Sequence, residues 1–185
     1  MSGGPRPGAG VAPCEVPAGS LLAGCAGAGA YADCYSTELA KPVSHQAFVE
    51  AFYTTPLFKL ERLVLRWFAG RPSTDDDARA LAQGTAHSFA AWSVEGRRHD
   101  ELLLADFSGR TRSWLMVSAM SGAEGQGTRL FFGSAVVPKV RAGSKQAELG
   151  LVFAALLGFH KLYSRALLWS ARLKLARQYS FPRGT

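Results

Sequence analysis

The chain has 185 residues, of which 48% are hydrophobic and 11% aromatic. This length is typical of a single domain, and the composition excludes a wholly disordered protein because it supplies enough apolar surface for a core. The longest mainly apolar run, residues 149–159, is well short of the ~20 residues that a membrane-spanning helix needs.

The formal net charge of +7 is concentrated near the C-terminus. Residues 1–138 carry 12 Lys and Arg against 13 Asp and Glu, whereas residues 139–185 carry nine Lys and Arg and one Glu. A protein that tracks a nucleic-acid backbone more often spreads its basic residues over a face, so no specific nucleic-acid partner is predicted. The basic end is interpreted as a solvated helix terminus, with docking on an anionic membrane surface or an acidic partner as the alternative.

The first 30 residues differ in composition from the rest, with 8 glycines, 7 alanines and 4 prolines. Such a segment offers little apolar surface to offset the entropy lost on ordering, which predicts that most of residues 1–30 form a flexible tail, with Val16 to Leu22 as a part that can be pinned to the surface. The folded domain is therefore expected over residues 31–178, followed by a short C-terminal tail over residues 179–185.

The cysteines and the lack of known motifs limit the kinds of chemical site that the sequence predicts. Cys14, Cys25 and Cys34 form no CxxC pair and have no histidine at metal-ligand spacing. They are interpreted as reduced thiols of a cytoplasmic protein, and neither a metal nor a cofactor is predicted. The sequence also contains no P-loop, no dinucleotide-binding fingerprint after a strand and no GxSxG nucleophile motif.

The first predicted strand covers Tyr31–Leu39, where side chains on one face alternate with those on the other. Three helices are predicted after it from their start signals, which are Ser44 as an N-cap, Thr55 followed by Pro56, and the acidic run at 73–77. Gly70 and Gly84 are expected to end the second and third of these helices.

Four further strands are predicted at about residues 87–95, 101–107, 112–120 and 129–137, separated by glycine-containing turns. Residues 145–178 then carry apolar side chains at helical spacing, which predicts one long C-terminal helix. This order indicates an α+β fold in which an antiparallel sheet of about five strands wraps on that helix.

The apolar stripe of the long helix is expected to face the sheet. Phe153, Leu156 and Tyr163 lie on this stripe. They are expected to contact Trp114 and Phe132, two aromatic residues of the predicted strands, across a shared core or cavity.

Three segments carry a family resemblance: Arg112-Ser113-Trp114-Leu115, the run FFGSAVV at 131–137, and LGFHKLYS at 157–164. Together they resemble a bacterial branch of the START-like, helix-grip superfamily of polyketide cyclases and lipid-transfer proteins, over about residues 30–178. A full helix-grip sheet has seven strands, so the five predicted here indicate a shortened sheet in which the third helix replaces a hairpin.

The resemblance implies a cavity for a hydrophobic ligand between the sheet and the C-terminal helix, although a shared fold does not settle the chemistry. The side chains expected to line that cavity are Trp92, Trp114, Phe132, Phe153, Leu156, His160 and Tyr163. Large aromatics on central strands either fill a core or line a pocket, and the sequence leaves both open.

Asp106 and Arg112 are candidate ionisable residues on neighbouring strands. Asp106 follows Leu102 and Leu104 on one face of an apolar strand, so it is either a buried general base or a carboxylate of the hairpin turn. Arg112 either clamps a ligand carboxylate or phosphate with its two-pronged guanidinium, or is a surface charge.

His160 and Tyr163 lie one turn apart on the long helix. A histidine there can act as an acid or base in a cavity, and is otherwise a hydrogen-bonded core residue. Tyr163 either donates its phenolic proton to a ligand or packs in the core.

Three functions follow from these features. The first is non-catalytic binding of a small hydrophobic or amphipathic molecule in the cavity. The second is a cyclase, dehydratase or isomerase that uses Asp106, Arg112, His160 or Tyr163 to move a proton beside a carbonyl. The third is an interaction protein that docks through its basic C-terminal helix on a membrane or an acidic partner.

Overall fold

The computed structural model describes residues 10–26, 31–69, 72–122, 125–136 and 149–178. Within these residues the chain forms seven strands: β1 Ala12–Pro13, β2 Tyr31–Leu39, β3 Ser88–Phe89, β4 Trp92–Arg97, β5 Glu101–Asp106, β6 Thr111–Gly122 and β7 Gly125–Val136. Its helices there are α1 Leu21–Ala26, α2 His45–Tyr53, α3 Pro56–Ala69, α4 Asp75–Gln83 and α5 Leu149–Gln178.

The strands form one open antiparallel sheet in the order β1-β2-β7-β6-β5-β4-β3. The α+β class predicted from the sequence is thus confirmed, but the expected strand count of about five is too low for the described residues. One additional strand, β1, lies in the predicted tail and pairs Ala12 with Ser36. The other, β3, arises because a turn at Ala90, whose φ is +51°, splits the predicted strand over 87–95.

The helix starts follow the predicted caps. Ser44 Oγ accepts a hydrogen bond of 3.1 Å from the Ala47 N–H, and Thr55 Oγ1 accepts one of 3.2 Å from the Phe58 N–H. Thr74 and Asp77 form a reciprocal capping box at α4, and Gly84 ends that helix with φ +82°. Gly70, expected to end α3, lies outside the described residues.

The first face of the sheet packs against α2 and α5. An aromatic cluster centred on Phe52 fills this layer, with the Phe52 ring 4.8 Å from Phe132 and 5.2 Å from Tyr53. Among the α5 side chains that the structure describes, from residue 160 onward, the buried apolar ones are Leu167, Leu168, Ala171 and Leu175. The side chains of Phe153 and Leu156 lie outside the described part, so their predicted contacts with the sheet stay predictions.

Helix α5 has 30 residues, a length of about 45 Å at 1.5 Å per residue. The second half of α5 packs across α2 and β2, and the buried side chains that the structure describes on α5 lie in that half. Among the described residues, no helix combines the length and apolar character needed to cross a bilayer.

The second face of the sheet is covered by α1. Leu22 is completely buried there, in contact with the cluster that contains Leu103, Trp114 and Phe131. Residues 10–26 of the predicted tail thus include β1 and α1, and Leu22, in the segment expected to be pinned to the surface, supplies the apolar contact. Residues 1–9 and 27–30 lie outside the described part.

Trp114 lies on this second face, away from α5. Side chains alternate along a strand, and its neighbour Leu115 occupies the face toward α2. The Trp114 indole N–H donates a 2.8 Å hydrogen bond to Glu101, which also accepts a 2.7 Å bond from the Leu21 N–H at the start of α1. The expected contact between Trp114 and α5 is therefore wrong, because the alternation turns the indole to the other face.

Candidate functional site

An open cleft lies where the start of β2 faces the middle of α5. Its volume is about 490 Å³, within the roughly 300–1,000 Å³ typical of small-molecule sites. We call it the β2–α5 cleft, and its lining includes Tyr31, Asp33, Tyr35, Lys161, Leu162 and Arg165. Two tyrosines and a leucine supply apolar surface, whereas the lysine and arginine make its rim cationic.

Asp33, which lines the β2–α5 cleft, joins a hydrogen-bonded cluster with Ser134 and His160. The Ser134 hydroxyl donates to Asp33 Oδ1 at 2.6 Å, and Ser134 Oγ also lies 2.6 Å from His160 Nε2. Ser134 is 3% exposed, so the cluster is sealed on its sheet side. Residues 31–35 of β2 pair with 132–136 of β7, which places Asp33 directly opposite Ser134.

These contacts fix the direction of the protons. In the bond to Asp33 the single Ser134 proton points to the carboxyl oxygen, so Ser134 Oγ accepts from the Nε2–H tautomer of His160. The second nitrogen of His160, Nδ1, is then available as an acceptor when the ring is neutral. Asp33 Oδ2 lies 3.8 Å from His160 Nε2, which makes an ion pair when the ring is protonated. The cluster can therefore bind a hydroxyl or another hydrogen-bond donor.

One turn further along α5, Tyr163 contacts the carboxyl group of Glu61. Its hydroxyl donates a 2.5 Å hydrogen bond to Glu61 Oε2 of α3. Burial raises the pKa of Glu61, an effect that the hydrogen bond from Tyr163 only partly opposes. Burial also raises the pKa of the Tyr163 phenol, and the neighbouring Glu61 charge adds to that rise. A carboxyl group with a raised pKa is suited to accept or donate a proton near neutral pH.

Asp106 takes the role of a turn carboxylate. Its Oδ1 accepts backbone N–H bonds of 2.8 Å from Arg110 and 2.9 Å from Thr111, and its Oδ2 accepts the Ser108 hydroxyl at 2.5 Å. Partial burial raises the pKa of Asp106, but these hydrogen bonds outweigh it and leave the pKa below its ordinary value. The structure thus favours the second sequence interpretation of Asp106, and a general-base role has no geometric support.

Arg112 points to the sheet face away from α5. Its guanidinium donates to Glu95 through two bonds of 2.8 and 2.9 Å, a bidentate pair between β6 and β4, the two strands that flank β5. This pairing corrects the suggestion that Arg112 reaches a ligand beside α5. The reason is again the alternation of side chains, since Arg112 shares its face with Trp114.

Trp92 and Phe132 lie on the expected face, where they pack in the core rather than line the β2–α5 cleft. Phe132 is 5% exposed and contacts Phe52. Trp92 packs against the same core, and its indole N–H is buried without a hydrogen-bond partner among the described residues.

The basic side chains of α5 make contacts within the fold. Lys174 Nζ donates to the Thr54 carbonyl at 3.1 Å and so satisfies the end of α2, where the helix dipole favours a cation. Arg172 Nε donates to the Glu38 carbonyl at 3.2 Å, and Lys161 Nζ lies 5.9 Å from the centre of the Tyr31 ring.

A larger cleft of about 820 Å³ lies near the other end of β2, between the start of α2 and the β6–β7 hairpin. Its lining includes His45, His99 and Asp100. His45 is buried and lies 3.4 Å from the Leu115 carbonyl through Nε2, and burial lowers its pKa to about 4. His45 is therefore a neutral structural histidine, and this cleft has fewer converging ionisable groups than the β2–α5 cleft.

Sequence reasoning missed Ser134 and Glu61. Both missed residues left a signal. Alternate positions along the strand hold Ser134, Phe132 and Leu130, so all three lie on the same face of the sheet. Glu61 follows Leu57 by four residues, on a helix face that is otherwise apolar. A polar residue on an apolar face is the informative exception, since burial there requires a partner.

No family model, curated protein sequence or solved structure matches this chain.

Proposed function

We propose that this protein binds a small amphipathic molecule in the β2–α5 cleft without chemically changing it. The observation that carries the proposal is the hydrogen-bonded Asp33–Ser134–His160 cluster, whose Asp33 lines a cleft of about 490 Å³. A few converging polar groups in a partly apolar concavity are the usual composition of a small-molecule site.

The arrangement of charges defines the ligand class. Asp33 offers carboxylate oxygens to the cleft, which suit a hydroxyl group. Lys161 and Arg165 at the rim suit a carboxylate or another anionic group. Tyr31 and Leu162 would contact the hydrocarbon or aromatic part between the two ends.

We further infer that the fold is of the helix-grip kind. Three features support this reading: the consecutive antiparallel strands β4–β7, the placement of β2 beside β7, and the long C-terminal helix against one face. In such a fold the space between sheet and helix is the expected ligand site, which agrees with the position of the cleft.

Native mass spectrometry of the purified protein tests this function. The wild type should carry a small organic adduct that organic solvent releases, His160→Ala should lose it, and Arg177→Ala should keep it. Arg177 is exposed near the end of α5, so it is the matched control. An adduct that persists unchanged in His160→Ala places the ligand elsewhere, and unliganded wild-type protein alone contradicts a tightly held ligand.

A second candidate is an enzyme of the cyclase, dehydratase or isomerase kind, favoured by the raised pKa of Glu61 beside Tyr163. In that reading Glu61 would remove a proton beside the carbonyl group of a substrate. Deuterium exchange at the carbon beside the carbonyl of α-tetralone, followed by NMR in D₂O, tests it. Exchange accelerated by the wild type but not by Glu61→Gln supports an enzyme, and equal exchange in both contradicts it.

Docking through the basic C-terminal helix has weaker support. Lys174 and Arg172 donate to backbone carbonyls within the fold, so they are only partly available to an anionic membrane or an acidic partner. Vesicles containing phosphatidylserine should therefore retain little of the protein at physiological salt, in a sedimentation assay.

A further inference from the structure

A pair of thiols lies at the edge of the sheet beside the β2–α5 cleft. Cys14 directly follows β1, and its N–H donates a 2.9 Å hydrogen bond to the Cys34 carbonyl of β2. The Sγ atoms of Cys14 and Cys34 lie 3.0 Å apart, close enough to share one proton. All three cysteines of the chain are free thiols, so this contact is between two reduced side chains.

We propose that Cys14 and Cys34 form a peroxide-sensitive dithiol that closes to a disulfide between the N-terminal segment and β2. The two residues are directly opposed on paired antiparallel segments, continuing the register in which Pro13 faces Tyr35. Little backbone movement is therefore needed to bring the sulfurs to bonding distance, since disulfides join Cα atoms about 4.4–6.8 Å apart, as opposed strand residues are.

The surroundings make the two thiols unequal. Cys14 is half-exposed and lines the cleft, whereas Cys34 is 3% exposed. The hydrogen bond with Cys34 lowers the pKa of Cys14 to about 7, with a smaller contribution from Arg129 of β7. The same hydrogen bond and burial raise the pKa of Cys34, as does the nearby charge of Asp33. Lys161 and Arg165 of α5 also face the cleft.

The difference in exposure and pKa between Cys14 and Cys34 determines which thiol reacts first with peroxide. The Cys14 thiolate attacks one oxygen of hydrogen peroxide, so that an S–O bond forms, the O–O bond breaks and the leaving hydroxide is protonated to water. Cys34 Sγ then attacks the Cys14 sulfenic acid. The S–S bond forms as the S–O bond breaks, and the Cys34 proton leaves with the hydroxide as a second water. Two thiols and one peroxide thus give one disulfide and two waters.

Cys25 provides an internal control. Its thiol donates to the Leu21 carbonyl within α1 at 3.7 Å, and burial raises its pKa. Because peroxide reacts with the thiolate, Cys14 should react roughly fivefold or more faster than Cys25 at pH 7.

The experiment treats the reduced full-length chain with one equivalent of hydrogen peroxide, blocks remaining thiols with N-ethylmaleimide and maps the peptides without reduction. We expect a Cys14–Cys34 disulfide in the wild type and in Cys25→Ser. In Cys34→Ser, and in Cys34→Ala if the first variant folds poorly, we expect a sulfenic acid on Cys14 that dimedone traps. In these variants Cys14 has no hydrogen bond with Cys34. Its oxidation should therefore reach the wild-type rate only at a higher pH, toward the ordinary thiol pKa of about 8.5.

Three outcomes overturn the proposal: preferential oxidation of Cys25, a disulfide that includes Cys25, or full labelling of Cys14 and Cys34 by N-ethylmaleimide after peroxide. The assay needs no ligand, so its failure leaves the proposed binding function untouched.

Discussion

Ser134 Oγ of β7 lies 2.6 Å from His160 Nε2 of α5, and the same hydroxyl donates to Asp33 of β2. One buried hydroxyl thus connects two strands to the C-terminal helix. Removing it as Ser134→Ala leaves His160 and Asp33 without their shared partner, which should cost about 1–3 kcal/mol of unfolding free energy. Urea denaturation measures this cost. Ser121→Ala on β6, an exposed position, should change stability by less than about 0.5 kcal/mol, and an equal cost at both sites would contradict the cluster.

Glu61 and Tyr163 form a matched pair for a double-mutant cycle. Tyr163→Phe leaves a buried carboxyl without its 2.5 Å donor and should destabilise by about 1–3 kcal/mol. Glu61→Gln keeps an acceptor oxygen and removes a charge that is costly to bury, so it should cost less than about 1 kcal/mol or stabilise. The coupling energy from the two single variants and the double variant should exceed about 0.5 kcal/mol, the level expected for independent sites.

The packing of α1 on the sheet depends on Gly133. A Cβ at this position would contact Leu22 and lie 2.9 Å from the Asp33 carbonyl and 3.0 Å from the Trp114 ring. Gly133→Ala should therefore destabilise by about 1–3 kcal/mol through overpacking, measured by thermal denaturation. Gly24→Ala on α1 meets nothing within 4 Å and should be neutral or stabilising by up to about 1 kcal/mol. Equal effects of the two variants would mean that α1 does not pack here.

His45 makes stability depend on pH. Burial lowers its folded-state pKa to about 4, with Arg97 and His99 adding to the decrease and Asp100 and the Leu115 carbonyl opposing it. The unfolded chain takes up the proton near pH 6.5, so stability should be full above that pH and fall as pH decreases toward 4. The loss should be on the order of 3 kcal/mol.

Urea denaturation from pH 7.5 to 4 measures this slope. His45→Gln keeps an N–H donor for the Leu115 carbonyl and does not titrate, so it should flatten the profile over this range. The exposed His87→Gln is the control and should retain the slope. A profile with the same slope in His45→Gln would show that other groups cause the acid sensitivity.

Local signals predicted much of the fold. Ser44, Thr55 and Gly84 define helix ends through hydrogen bonds and backbone angles that depend on a few neighbouring residues. The turn at Ser108-Gly109 likewise fixes the β5–β6 register, in which Ala105 faces Arg112. Such features can be recognised from sequence because their physical cause is local.

The candidate site depended on long-range pairing. Asp33 and Ser134 are opposed only because β2 pairs with β7, and Trp114 faces α1 only because a segment at residues 21–26 returns to cover the second face. Neither event has a local signature. The same limitation hid β1, whose two residues pair with β2 at the edge of the sheet.

Binding of an amphipathic molecule in the β2–α5 cleft should involve a hydroxyl group near Asp33 and an anionic group beside Lys161 and Arg165. Isothermal titration with 12-hydroxydodecanoic acid and dodecanoic acid tests both ends with one hydrocarbon chain. The wild type should bind the hydroxylated acid more tightly, His160→Ala should abolish that preference, and Lys161→Ala should weaken both acids while Arg177→Ala changes neither. No binding of either acid, or a hydroxyl preference that His160→Ala retains, would contradict binding of an amphipathic molecule at this cleft.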